Sequence, residues 1–113
     1  MAGVITEEAL KIPPHAHEAE RFVLGGIMAD PMAWEKIEDQ VFASDFYLGQ
    51  HEKLFEIISS LAKQDKPYDA NTLIEALTQD GRIEQVGGET YIYSCLESVP
   101  SAVNISAYAR IIR

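Results

Sequence analysis

The chain has 113 residues, enough for one domain with its own hydrophobic core, and its 47 % hydrophobic and 24 % charged content excludes a disordered or fibrous protein. Eighteen acidic residues against nine basic ones give a net charge of -9. Nucleic-acid binding depends on Lys and Arg neutralising phosphates, so this charge argues against DNA or RNA as the main ligand and suits a basic protein partner better.

Residues 1–13 carry little periodicity and end in Pro13-Pro14, which favours extended backbone and reads as a flexible N-terminal arm. From Glu18 a helical period begins. Ala19, Phe22, Val23, Gly26 and Ile27 share one side, Leu24 and Met28 widen it, and only a strip around Glu18 and Arg21 stays polar. A helix this apolar belongs at the centre of a domain. Gly25-Gly26 in its middle costs about 1 kcal/mol each relative to Ala, and close approach by a neighbouring helix is the expected compensation. Asp30-Pro31 ends this helix and opens a second, short one with Trp34, Ile37 and Val41 on one stripe. Ser44-Asp45-Phe46-Tyr47 breaks the pattern and reads as a connector whose aromatics pack back on the core.

The third helix, about His51 to Lys63, places Leu54, Phe55, Ile57, Ile58, Leu61 and Ala62 on one half, and Pro67 stops it. For the fourth helix Asp69 is one candidate N-cap, and Thr72 with Glu75 forms a competing capping box. Leu73, Ile74 and Leu77 form its face, and Gly81 stands where a left-handed C-terminal cap belongs. Gly87-Gly88 supplies a turn. The fifth helix buries Ile92, Cys95, Leu96 and Val99, with Tyr91 at the edge and Tyr93 pointing elsewhere. Pro100-Ser101 ends it, and Ser101 can cap a sixth. That last helix has two apolar stripes: Ile105, Tyr108, Ala109 and Ile112 on one side, Val103, Ala107 and Ile111 on the other. Its period still runs at Arg113, so the helix is expected to continue and its second stripe to pack on something else. The expected fold is all-α, an orthogonal bundle of about six helices.

No catalytic constellation stands out. None of the seven glycines precedes a Lys, so a phosphate-binding loop is absent. His15 and His17 are far in sequence from His51 and Cys95, which gives no zinc spacing. Cys95, the single cysteine, falls on an apolar stripe and reads as a buried structural thiol in a reducing compartment. Glu18 with Glu20, Glu38 with Asp39, Glu84, Glu89 and Glu97 read as solvated faces. No stretch nears the roughly 18 apolar residues of a membrane span. The N-terminus, with Glu7 and Glu8, has no signal-peptide character, so a cytoplasmic protein without membrane contact is expected.

From Pro13 to Arg113 the sequence resembles the N-terminal domain of bacterial replicative DNA helicases of the DnaB type. The resemblance runs through Pro13-Pro14-His15, Glu18-Ala19-Glu20, Val23-Leu24-Gly25-Gly26, Asp45-Phe46-Tyr47, His51, Phe55, Asp69, Thr72-Leu73 and Leu77. It is densest at Gly87-Gly88 with Tyr91, then Pro100-Ser101-Ala102, Asn104-Ile105 and Tyr108-Ala109-Arg110-Ile111. One departure is Ala16, where the family commonly carries Ser, which removes an N-cap oxygen and weakens the helix start by about 1 kcal/mol.

The resemblance implies that residues 14–113 are a helical collar domain without activity of its own. The whole protein would be an ATP-dependent 5'-3' DNA helicase forming a hexamer. Its motor domain, which binds ATP and Mg, would lie C-terminal to this one, and the last helix would enter a helical hairpin. Partners implied are other helicase subunits, primase and, in some systems, a helicase loader, with DNA met only through the full ring. The chain itself would be a monomer or weak dimer and would need no cofactor or metal. On the same resemblance Glu18 and Tyr91 are candidates for partner contact, and Val103, Ala107, Tyr108 and Ile111 for self-association. The bland alternatives are a core-edge Tyr91 with its hydroxyl in water, and a last helix packed on the remainder of a longer monomer. A stand-alone acidic helical adaptor and a small enzyme with an acidic site remain as competing functions.

Overall fold

Six periodic stretches become six α-helices in the computed structural model, which describes residues 14–99 and 104–112. Among these residues the helices are α1 (Pro14–Ala29), α2 (Pro31–Ile37), α3 (Gly49–Lys63), α4 (Ala70–Gln79), α5 (Gly88–Glu97) and α6 (Ile105–Ile112). Two 3-10 turns, Ala43–Asp45 and Ile83–Val86, complete the set, and no strand occurs among the described residues. The arm at 1–13, the stop and cap at Pro100-Ser101, and Val103 lie outside them.

Helix α1 is central because it is apolar nearly all round. Ala19, Val23, Leu24, Ile27 and Met28 are all buried, and the helix packs against α2, α3, α5 and α6. Its two glycines face different neighbours. A Cβ at Gly25 would collide with the Cys95 carbonyl of α5 and stand 2.5 Å from Val99 Cγ2, whereas one at Gly26 would lie 3.2 Å from Ile105 Cδ1 of α6. The helix begins four residues earlier than Glu18, because the fixed φ of Pro14 suits a first turn. Ala16 is therefore inside the helix and buried, so the lost cap expected there does not arise.

Asp30, in extended conformation, accepts the Met32 N–H at 3.0 Å and starts α2. That helix stops at Ile37, yet its stripe continues: the N–H groups of Gln40 and Val41 donate to the Ile37 carbonyl at 2.9 and 3.1 Å, which folds Val41 into the core. In the connector only Phe46 packs inward, 5.0 Å from the Phe55 ring; Tyr47 is 62 % exposed, against expectation. Its backbone N–H is taken by a buried carboxylate described below, and that contact leaves the ring outside.

Helix α3 ends before Pro67. Asp65 adopts φ 58°, its N–H bonds the Ala62 carbonyl and the Lys66 N–H bonds the Leu61 carbonyl at 2.9 Å, a Schellman closure without glycine. Helix α4 closes the same way at Gly81 (φ 71°), with the Arg82 N–H on the Leu77 carbonyl at 2.9 Å. Asp69, not Thr72, is the cap of α4: its carboxylate accepts the Thr72 N–H at 3.3 Å and the Thr72 hydroxyl at 2.7 Å. The second 3-10 turn buries Val86, and Tyr93 of α5 donates its hydroxyl to Asn71 of α4 at 2.6 Å.

The bond from the Thr72 hydroxyl holds the Asp69 carboxyl below its ordinary value of 3.8. A lowered folded-state value means that the cap stabilises fully above the ordinary value and is lost as pH falls through the lower one. Replacing Asp69 by Ala is expected to cost about 1 kcal/mol at neutral pH, with the difference from wild type shrinking in acid. Asp69→Asn is expected to keep most of the cap without the pH dependence. Urea unfolding across the acid range checks both.

Candidate functional site

Among the described residues two polar side chains are fully buried, and they meet. Glu20 of α1 and His51 of α3 are each 0 % exposed, with Glu20 Oε1 2.7 Å from His51 Nδ1. The other carboxylate oxygen accepts the Tyr47 N–H at 2.7 Å, and His51 Nε2 lies 2.5 Å from the Tyr91 hydroxyl of α5. One neutral tautomer satisfies every contact: Nδ1–H donates to Glu20, and Nε2 accepts from Tyr91. The imidazole is stacked on the Tyr91 ring at 5.7 Å and meets the Phe46 ring edge-on at 6.5 Å.

This network corrects two expectations. Glu20 belongs to the core rather than a solvated face, and the Tyr91 hydroxyl is engaged by His51 rather than by water. The sequence carried the signal. Glu20 stands three and four residues before Val23 and Leu24, and His51 three and four before Leu54 and Phe55, so both are in register with apolar stripes. An acid–base pair sealed from solvent reaches no substrate, so its chemistry is structural. Its hydrogen bonds join α1, α3, α5 and the connector at one point.

Burial pushes the Tyr91 phenol above its ordinary 10.0, and the neighbouring Cys95 adds to the rise. Burial likewise raises the Cys95 thiol above 9.0, and Cys95 is fully enclosed, as a structural thiol should be. Among the described residues no group of three or more His, Cys, Asp or Glu is placed to hold a metal ion. No helix among them is long and apolar enough to cross a membrane.

The candidate contact residues separate into two places. Glu18 is exposed on α1, one turn before Arg21, whose guanidinium donates to the Ser94 carbonyl of α5 at 3.3 Å. Glu18 and the half-buried Tyr91 thus belong to the two helices that meet on that side. On α6, Ile105, Ala109 and Ile112 are buried, whereas Ala107 is exposed and Ile111 is 46 % exposed. Tyr108 is half-buried with its ring 4.9 Å from Phe22, so it belongs to the edge of the core rather than to the outer stripe.

Six helices centred on α1, with a polar pair sealed between α1 and α3 and no strand among the described residues, define a small all-helical domain. The same architecture occurs in the N-terminal domain of DnaB helicase from Mycobacterium tuberculosis, with a TM-score of 0.79 and 30 % identity over 84 % of this chain and 69 % of that one. Residues 12–113 match the family described as DnaB-like helicase N terminal domain, and the chain belongs to that family. The replicative DNA helicase DnaB of Pasteurella multocida is 42 % identical over 102 residues, covering 90 % of this chain and 22 % of that protein. That of Geobacillus stearothermophilus is 34 % identical over 102 residues, again covering 22 % of its length. The chain thus spans about a fifth of the curated relatives it matches.

Replacing His51 by Leu keeps the volume but leaves a buried carboxylate with one donor, and is expected to cost about 3 kcal/mol. Tyr91→Phe orphans only Nε2 and is expected to cost about 1 kcal/mol. Urea unfolding of both variants measures this; a smaller loss for His51→Leu than for Tyr91→Phe contradicts the network.

Proposed function

We propose that this chain is the collar domain of a hexameric replicative helicase, joining subunits into a ring and docking primase, without catalysis of its own. The observation that carries the assembly role is the outer stripe of α6: Ala107 and Ile111 stay in solvent while Ile105, Ala109 and Ile112 complete the core. A helix with one face already buried and a second apolar face outside gains by covering that face. Membership of the helicase family supplies the partner, another subunit.

Docking of primase is assigned to the side where α1 meets α5, with Glu18 exposed and Tyr91 held by His51. The net charge of -9 favours a basic partner there and disfavours direct DNA binding, so DNA is met through the whole ring. Unwinding, ATP and Mg belong to a motor domain outside this chain, and a helicase loader is a further partner of the whole protein in some systems. The setting is the bacterial cytoplasm.

Sedimentation equilibrium from micromolar to near-millimolar concentration tests the assembly role. A reversible dimer, weakened about tenfold by Ile111→Glu, is expected. A dimer untouched by that change overturns the assignment to α6. Titration with primase tests docking, and Glu18→Lys is expected to weaken it; full affinity in that variant places primase elsewhere.

A further inference from the structure

The end of α2, the segment after it and the outer side of α3 enclose a half-open groove of about 690 Å³. Trp34, Phe42 and Phe55 give it an aromatic floor, and Glu38, Asp39 and Glu56 stand along its lining against a single cation, Lys63. The volume has room for several apolar side chains and the opening leaves them accessible from one side. None of Glu18, Tyr91, Ala107 and Ile111 lines it, so the surface is additional to those already assigned.

Phe42 is the distinctive residue. It is 61 % exposed, although transfer of a phenylalanine ring out of water is strongly favourable. The backbone beneath it is nonetheless fixed: its N–H donates to Asp45 Oδ2 at 2.9 Å, and its carbonyl accepts the Asp45 N–H at 2.9 Å. The aromatic group is thus presented on a turn closed by its own hydrogen bonds, which lowers the ordering cost of binding.

We propose that this groove docks a basic amphipathic helix of a partner protein. The helix lays a row of bulky apolar side chains on Trp34, Phe42 and Phe55, while its Lys and Arg residues face Glu38, Asp39 and Glu56. Charge selects this occupant. Phosphate-bearing ligands meet three carboxylates. A second copy of the chain brings a net charge of -9 to a surface of the same sign. The chain's own first residues carry Glu7 and Glu8 against Lys11 and offer no basic face.

Trp34 is the single tryptophan and lines the groove, so its emission reports occupancy directly. The probe is a tryptophan-free Leu–Lys amphipathic peptide of about 18 residues, long enough to form helix, with a Leu–Glu peptide as its control. Saturable change of Trp34 emission by the Leu–Lys peptide alone is expected. Phe42→Ser and the double change Glu38→Lys/Asp39→Lys are each expected to weaken it about tenfold, and Ile111→Glu to leave it unchanged. All these positions are exposed, so the fold should survive, and circular dichroism checks that it does. Equal response to the Leu–Glu peptide, or affinity unmoved by both groove variants, overturns the proposal. So does an emission change that follows protein concentration without peptide, since that gives the groove to a second copy, whose α6 exposes Arg110 and Ile111.

Discussion

Where a side chain at Gly25 would project, the carbonyl of Cys95 already stands. This backbone-to-backbone approach of α1 and α5 sets the spacing of the whole bundle. One residue later, Gly26 turns towards α6 and leaves room for Ile105. Two adjacent glycines, about 100° apart on the helix, therefore seat two different helices on the same central rod. Their cost in helix propensity, about 1 kcal/mol each, is offset by apolar area that both neighbours bury.

The buried polar network follows from that spacing. With α5 held close, the Tyr91 hydroxyl reaches His51, and His51 reaches Glu20 on the central helix. Hydrophobic packing alone tolerates small slips of one helix along another, but a buried carboxylate with two donors does not, since every slip leaves an unpaired group. Glu20 and His51 thereby fix the register of α1, α3 and α5. The α1–α5 side and the aromatic groove beside α3 are carried on helices whose register this network fixes.

Much of this was legible in the sequence, for reasons that differ by element. Helices α1 to α6 announced themselves by period, and Asp30-Pro31, Asp69 and Gly81 by turn chemistry, because both signals are local. The two faces of α6 were legible for the same reason, and Tyr108 leans on Phe22 from the stripe it shares with Ile105, Ala109 and Ile112. Tyr47 was misplaced because its position is decided by a bond from its N–H to a carboxylate 27 residues away. The Glu20–His51 pair, 31 residues apart, was hidden by the habit of reading every charge as solvated. Its register with Val23 and Leu24 on one helix and Leu54 and Phe55 on the other was the available clue. The groove could not be read at all: its lining comes from two separate stretches, residues 34–43 and 55–63, that become neighbours only when the chain is folded.

The packing of the core depends on one point, that α1 and α5 touch at Gly25. Comparing Gly25→Ala with Gly49→Ala by urea unfolding tests that most directly, because a Cβ at Gly49 would have nothing within 4 Å. The account predicts a loss of about 2 kcal/mol or more at Gly25 despite the better helix propensity of Ala, and a change of no more than about 1 kcal/mol, in the stabilising direction, at Gly49. Equal stabilisation at both positions would mean that the two helices do not meet there, and the order built on that contact would have to be redrawn.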